Sequence, residues 1–135
     1  MMGALADCAL EAGGIVEGVI PHYMIEREWA HGALSDLHVV ETMHQRKQRM
    51  HDRSDAFLAL PGGIGTFDEL CEALTWQKLE IHKKPVAVLN TANFFAPLLR
   101  ALAHTVEQGF YRAEDLGRLQ ILDSPSQLPQ RIFIT

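Results

Sequence analysis

The sequence has few cysteines, little positive charge and no long apolar run. Its two cysteines, Cys8 and Cys71, are far apart and show no C-x-x-C spacing, which argues against zinc or redox chemistry. We expect them to be buried free thiols in a reducing compartment. The seven histidines show no H-E-x-x-H or comparable spacing, and they are expected at the surface or at helix ends. We therefore expect no metal site.

The charge balance and hydropathy exclude two further classes of partner. The formal net charge is −5, whereas a protein that binds nucleic acid needs a basic face for the phosphate backbone. No apolar run approaches the ~20 residues that a membrane span needs. The first residues also lack a basic segment followed by an apolar one, so we expect no signal peptide. These features predict a cytoplasmic protein that binds neither nucleic acid nor membrane.

Alternating strand and helix patterns predict an α/β fold. The length of 135 residues, with 47% hydrophobic and 21% charged residues, is typical of one globular domain. Short apolar or β-branched runs predict strands at 15–20, 37–40, 56–60, 86–89 and 119–122. Amphipathic runs predict helices at 1–12, 42–53, 66–79 and 94–108, and a last helix from Ser124-Pro125. We expect a Rossmann-like parallel sheet flanked by helices, with ligands at the carboxyl ends of its strands.

A glycine-rich stretch, Pro61-Gly62-Gly63-Ile64-Gly65-Thr66, follows the 56–60 strand and precedes a helix. Glycines allow the backbone to approach a phosphate closely. The first N–H groups of the helix and its dipole favour an anion at the same place. The stretch therefore predicts a phosphate site, although it could also be only a tight connection between strand and helix.

The spacing of the glycines limits which nucleotide site this stretch can form. It differs from G-x-G-x-x-G, and no acidic residue stands at a strand end about 20 residues on, so a nicotinamide oxidoreductase is disfavoured. It also lacks the lysine and hydroxyl of G-x-x-x-x-G-K-[ST]. With both of these nucleotide-binding motifs disfavoured, the stretch is best interpreted as a short turn that binds one phosphate.

Three carboxylates, Asp68, Glu69 and Glu72, follow the glycine stretch on the expected helix. Glu69 and Glu72 are three residues apart and so share one helix face. A carboxylate one helical turn from a bound phosphate lies at a distance that a ribose can span, so it could lie near the anomeric carbon of a phosphorylated ribose. This arrangement suits cleavage of an N-glycosidic bond through an oxocarbenium-like state. Two alternatives stay open. Thr66-x-x-Glu69 also fits a capping box, and Glu72 could be solvated.

The expected helix at 42–53 carries a mixed face. Thr42 and Gln45 fit a capping box at its start. Met43, Arg46, Lys47 and Met50 follow at i, i+3, i+4 and i+7, which gives a face half apolar and half cationic. Its two cations could complement a phosphate if this face borders the same crevice, or could be surface charges.

Two motifs together resemble those of the Lonely Guy (LOG) family of cytokinin riboside 5′-monophosphate phosphoribohydrolases. Pro61 to Glu69 matches P-G-G-x-G-T-x-x-E, and Met43 to Lys47 matches M-x-x-R-K. The resemblance covers essentially the whole chain, and an older description of the family is "possible lysine decarboxylase". It implies hydrolysis of a nucleoside 5′-monophosphate to free base and ribose 5-phosphate, with adenine or an N6-substituted adenine as the base. It further implies a homodimer that needs no cofactor, and nothing in the sequence suggests pyridoxal phosphate.

The resemblance also implies roles for individual residues. Arg46 and Glu69 match the catalytic pair, and Met43 and Lys47 match residues that line the nucleotide site. Glu28 stands where the family often has a nucleotide-contacting glutamate. The substrate-binding residues expected in this way are Glu28, Met43, Lys47, Gly62, Gly63, Ile64, Gly65, Thr66 and Glu72. A non-catalytic nucleotide sensor or carrier of the same fold is the alternative.

The sequence departs from the family's pattern at its start. Family members carry further residues there, with two more strands, and Met1-Met2-Gly3-Ala4 resembles a segment from the middle of the family's domain. In a sheet of order 3-2-1-4-5-6, those strands would lie between the strands at 15–20 and 56–60. We expect residues 1–135 to be one Rossmann-like nucleotide-binding domain that lacks these strands, as a fragment of a longer product. A complete chain would need a rearranged or domain-swapped fold.

Overall fold

The computed structural model describes residues 2–25, 32–128 and 132, which form two compact units. The first unit is Met1–Ser54 and the second is Asp55–Thr135. Each has its own parallel sheet with helices, which confirms the predicted α/β class and is consistent with a Rossmann-like fold. The single domain over 1–135 and the two strands placed between 15–20 and 56–60 stay predictions.

Among the described residues of the first unit there are two parallel strands and three helices. In chain order its elements are α1 (Met2–Glu11), β1 (Glu17–Pro21), α2 (His22–Ile25), β2 (Asp36–Val40) and α3 (Met43–Arg53). Strand β1 pairs with β2 so that Glu17 lies opposite Asp36 and Pro21 opposite Val40. Helix α1 ends before Gly13, whose φ of +77° is the left-handed conformation that glycine favours after a helix.

Helix α3 begins with the predicted capping box. The Thr42 hydroxyl accepts a hydrogen bond from the Gln45 N–H at 3.1 Å. The Gln45 side-chain oxygen in turn accepts from the N–H groups of Thr42, at 3.3 Å, and Glu41, at 2.8 Å. These bonds satisfy backbone donors that a helix start leaves without intrahelical acceptors, and so fix where α3 begins.

The second unit contains a three-stranded parallel sheet in the order β3-β4-β5. Its elements are β3 (Phe57–Ala59), α4 (Ile64–Lys78), β4 (Val86–Leu89), α5 (Ala96–Glu107), α6 (Ala113–Leu116) and β5 (Leu119–Leu122), with 3-10 turns at Thr91–Asn93 and Pro125–Gln127. Helix α6 was not predicted. A last helix was predicted to start at Ser124-Pro125; a 3-10 turn lies there over Pro125–Gln127, and Leu128 and Ile132 are also helical.

Strand β4 is the centre of the core in the second unit, and all four of its residues are buried. On one face, Val86 and Val88 pack with Leu70, Ala73 and Leu74 of α4, and with Phe95 and Leu119. On the other face, Ala87 and Leu89 pack with Leu122 and Ile132. Burial on both faces explains the uninterrupted apolar run. Strand β3, expected to be buried, is only half-buried because it lies at the edge of this sheet.

Two further expectations about side chains are wrong. Cys8 and Cys71 are free thiols, but both are exposed rather than buried. His82, expected at the surface or at a helix end, lies in the connection after α4 and is only 6% exposed. Its Nε2 lies 3.1 Å from the carbonyl oxygen of Ala73, and its Nδ1 accepts a hydrogen bond from the Lys84 N–H at 3.1 Å. Since a carbonyl can only accept and an amide N–H only donate, this geometry requires the neutral ring with its proton on Nε2.

Replacing His82 with alanine should destabilise the second unit. The substitution leaves the Ala73 carbonyl and the Lys84 N–H without these partners. An unsatisfied buried polar group costs about 1–3 kcal/mol, so the melting temperature measured by circular dichroism should fall by several degrees. His104→Ala is the control, because this histidine side chain is 67% exposed. Equal melting temperatures for wild type and His82→Ala would show that the His82 contacts with Ala73 and Lys84 do not stabilise the second unit.

Candidate active site

The glycine-rich turn lies between the carboxyl end of β3 and the start of α4, as predicted. Strand β3 ends at Ala59, Gly63 is the N-cap residue, and α4 begins at Ile64. The Thr66 N–H donates to the Gly63 carbonyl at 3.0 Å. In a regular helix, the N–H groups of its first residues have no acceptor within the helix, and here these are Ile64 and Gly65. The turn therefore presents backbone donors at the edge of a parallel sheet where ligands bind.

The glycines of the turn differ in what surrounds them. A Cβ atom added to Gly63 or Gly65 would meet nothing within 4 Å. A Cβ added to Gly62 would instead collide with the Thr66 hydroxyl oxygen, which lies directly against the backbone. Gly62 is therefore needed for packing within the turn, whereas Gly63 and Gly65 leave their backbone open to an approaching group. The Ile64 side chain is 84% exposed beside them.

The structure contradicts the capping alternative for Glu69. Helix α4 begins two residues before Thr66, and its N-cap residue, Gly63, makes no side-chain capping bond. Thr66 thus lies inside the first turn, so Glu69 is not the capping partner of an N-cap threonine. Glu69 and Glu72 are both half-buried and Asp68 is exposed, in agreement with the shared face predicted for the two glutamates.

Cys71 lies on the same helix but has no marked nucleophilic character. Partial desolvation raises the pKa of its thiol, and the nearby Asp68 carboxylate raises it further. A thiol with a raised pKa carries little thiolate at neutral pH, and the thiolate is the reactive form. The carboxylates are therefore the chemically relevant groups on this part of α4.

Aromatic stacking connects the start of α4 with the turn that follows β4. The rings of Phe67 and Phe94 are stacked, with centroids 6.2 Å apart and planes 4° apart. The turn also contains Ala92 and Asn93, both with positive φ, and the Asn90 side-chain oxygen accepts from the Phe95 N–H at 2.9 Å. No sequence pattern indicated that an aromatic pair would join this turn to α4.

In the first unit, the predicted mixed face of α3 is confirmed as its half-buried face. Met43, Arg46, Lys47 and Met50 are half-buried, and the residues between them are exposed. Arg46 Nε donates to the carbonyl oxygen of Val19 in β1 at 3.1 Å. The guanidinium carries four further N–H donors on its two terminal nitrogens.

The described site residues thus lie in two groups, one in each unit. One group, Met43, Arg46 and Lys47, lies on α3 in the first unit; the other lies on the glycine turn and the first half of α4 in the second. Glu28 lies outside the described residues. The catalytic and binding roles of all these residues stay predictions.

Two kinds of feature are absent from residues 2–25, 32–128 and 132. No group of three or more histidine, cysteine, aspartate or glutamate side chains could hold a metal ion. None of the helices there combines the length and apolar character needed to cross a bilayer.

Comparison with known proteins gives a consistent set of relatives. A cytokinin riboside 5′-monophosphate phosphoribohydrolase of Rhodococcoides fascians is 49% identical over 111 residues, which are 82% of this chain and 56% of the relative. Proteins of the same name from Arabidopsis thaliana and Oryza sativa subsp. japonica are 43% and 41% identical, each over 126 residues and 93% of this chain. The matches cover 58% and 51% of those two proteins, so the chain spans about half the length of these relatives.

A family model described as "Possible lysine decarboxylase" matches residues 2–132. Because that match spans nearly the whole sequence and agrees with the named relatives, the chain belongs to this family, the LOG family of the resemblance described above.

Proposed function

We propose that the protein hydrolyses the N-glycosidic bond of a nucleoside 5′-monophosphate and releases free base and ribose 5-phosphate. The observation that carries the proposal is the start of α4. An open glycine backbone lies at a helix N-terminus, and Glu69 follows four residues after Gly65 without a capping role. The names of the relatives, cytokinin riboside 5′-monophosphate phosphoribohydrolases, support the same reaction and suggest an adenine or N6-substituted adenine base.

The glycine turn is the proposed phosphate site. The backbone at Gly63 and Gly65 is unobstructed, and the N–H groups of Ile64 and Gly65 are donors without helical acceptors. The positive end of the α4 dipole favours a dianion at this position. A phosphate there places the ribose toward the following helical turn, where Glu69 and Glu72 share the half-buried face.

The reaction exchanges one bond for another without an oxidant or cofactor. Water attacks C1′, the bond between C1′ and the base nitrogen breaks, and the departing base takes up a proton. The Glu69 carboxylate stabilises the oxocarbenium-like transition state or removes the proton from water. Arg46 orients the nucleotide and stabilises negative charge.

The family's motifs support nucleotide contacts by the remaining residues. Met43, Lys47, Glu28 and Glu72 contact the nucleotide, in line with the family's motifs. The proposed assembly is a homodimer in the cytoplasm, and the nucleotide is the only ligand that the reaction needs. A nucleotide sensor or carrier would also bind phosphate at the glycine turn, but it would have no use for the Glu69 carboxylate. A measurement of turnover therefore distinguishes the enzyme from the binding protein.

Replacing Glu69 with glutamine should remove turnover and largely preserve binding. With the full-length protein and AMP or an N6-substituted analogue as substrate, kcat for base release should fall by about 10²- to 10⁴-fold, because a positioned acid or base contributes that much. Release is measured by chromatography of the free base, and nucleotide affinity by calorimetry. Glu80→Gln, just beyond the other end of α4, is the matched control and should retain wild-type kcat.

Two outcomes decide between the enzyme and the binding protein. If wild-type protein releases no base from either nucleotide, the hydrolase proposal fails. If wild type binds AMP without turnover and Glu69→Gln binds equally well, the protein is a sensor or carrier.

Alanine at Gly63 and alanine at Gly62 should have different effects. At Gly63 the added methyl group enters open space and the extended backbone there (φ −85°, ψ −161°) accepts alanine, so the melting temperature should fall only by the small cost of alanine at an N-cap position. Nucleotide affinity should nevertheless fall about tenfold, or 1.4 kcal/mol, because the methyl group occupies the phosphate position. At Gly62 the collision with Thr66 should lower the melting temperature as well. Unchanged affinity in Gly63→Ala would show that phosphate binds elsewhere.

A further inference from the structure

Phe67 is the first large side chain of α4 that packs against the core of the second unit. Ile64, at the start of the helix, is 84% exposed, and Gly63 and Gly65 have no side chain to pack. The N-cap residue makes no side-chain capping bond either. The N–H groups proposed to bind phosphate, those of Ile64 and Gly65, precede Phe67 by only a few residues. Apart from the connection to β3, their position therefore depends on what holds the Phe67 ring.

Two neighbouring rings hold Phe67. The Phe94 ring is stacked on it, with centroids 6.2 Å apart and planes 4° apart, and the Phe95 ring meets it edge-on at 6.3 Å and 89°. Phe94 and Phe95 also pack edge-on against each other, with centroids 5.1 Å apart. These distances and angles lie in the range where aromatic rings attract one another. Phe95 is fully buried, whereas Phe94 is 40% exposed, so Phe94 extends the contact from the core toward the surface.

The turn that precedes Phe94 has an unfavourable backbone conformation. The Phe94 N–H donates to the Thr91 carbonyl at 3.1 Å, and the two residues between them, Ala92 and Asn93, have φ values of +52° and +58°. Positive φ at both central residues is the arrangement of a type I′ turn, in which glycine, asparagine and aspartate are usual and alanine is not. Strain of this kind persists only where the surroundings fix the conformation, and it is concentrated at functional sites.

Hydrogen bonds to the sheet fix this turn. The Asn90 N–H donates to the carbonyl of Leu122, the last residue of β5, at 2.7 Å. The Asn90 side-chain oxygen accepts from the Phe95 N–H at 2.9 Å, and the Asn90 carbonyl accepts from the Asn93 N–H at 3.0 Å. Strand β4 lies between β3 and β5, so the turn is held by β4 and β5 and lies away from the outer edge of β3. Phe94 is therefore presented to α4 from a fixed support.

Phe94 contacts α4 on the side opposite to Glu69. Phe67 and Glu69 are two residues apart, which corresponds to about 200° around the helix axis. The proposed path of the ribose, along Glu69 and Glu72, is therefore not obstructed by the Phe94 ring. Any effect of Phe94 on a bound phosphate must be transmitted through the position of α4.

We propose that Phe94 is a positioning residue for the phosphate site, because its stacking on Phe67 fixes the start of α4 and thereby the place of the Ile64 and Gly65 N–H groups. This role rests on the proposed binding of phosphate at the glycine turn. A displaced N–H group loses a hydrogen bond to the charged phosphate. The role of Phe94 is thus measured as affinity for a ligand that carries the phosphate.

The test measures the binding of ribose 5-phosphate to the full-length protein by calorimetry, well below all melting temperatures. Phe94→Ala should raise Kd about tenfold, because a hydrogen bond to a charged group contributes at least that much. Phe94→Tyr keeps the stacked ring and should bind within about twofold of wild type. Phe94→Leu keeps an apolar side chain without a ring and should also bind more weakly, so it decides the question if the alanine variant does not fold.

His82→Ala is the control for a general loss of stability. His82 lies beyond the last turn of α4, and its substitution should lower the melting temperature of the same unit. It does not contact the turn that precedes Phe94, so Kd for ribose 5-phosphate should equal that of wild type. A Phe94→Ala variant with a lower melting temperature but an unchanged Kd would show that the ring only stabilises the fold, and this result overturns the positioning role.

The remaining outcomes separate this role from the proposed function. If the wild type does not bind ribose 5-phosphate, the proposed phosphate site and the positioning role both fail. If the wild type binds it and Phe94→Ala binds equally well, the positioning role alone fails. A wild type that binds ribose 5-phosphate but releases no base from AMP overturns hydrolysis, whereas the comparison of affinities still supports or overturns the role of Phe94.

Discussion

Parallel strand pairing is the constraint on which both units depend. Parallel neighbours cannot be joined by a tight hairpin, so the chain must return to the other end of the sheet through a helix. In the second unit, α4 makes this return between β3 and β4, and α5 with α6 makes it between β4 and β5. The N-terminus of α4 therefore follows the carboxyl end of β3, and the glycine turn occupies this junction. The candidate phosphate site results from the same connection that builds the sheet.

The elements that the sequence predicts best are those specified by neighbouring residues. The capping box of Thr42 and Gln45 involves two side chains three residues apart, and the structure contains it as predicted. The half-buried face of α3 follows from helical periodicity alone. The start of α4 was predicted two residues late, because Thr66 resembles an N-cap whereas the actual N-cap, Gly63, has no side chain to signal the role. The same error produced the capping alternative for Glu69.

Contacts between distant residues could not be predicted in this way. Periodicity placed Arg46 on the correct face of α3, but its partner is a backbone carbonyl 27 residues earlier. Arg53 donates a hydrogen bond to Glu17, which lies 36 residues earlier, and neither residue belongs to a motif. The burial of His82 likewise depends on how the connection from α4 to β4 folds against α4. These contacts depend on three-dimensional proximity, which hydrophobic patterning does not specify.

The bond between Arg46 and Val19 has a particular consequence for sequence variation, because its acceptor belongs to the main chain. Every residue type carries a carbonyl oxygen, so the side chain at position 19 can change without loss of this acceptor. A slip of β1 by one residue would instead present a carbonyl directed toward β2. The partner of Arg46 is thus encoded by the register of the strand rather than by the identity of any one amino acid.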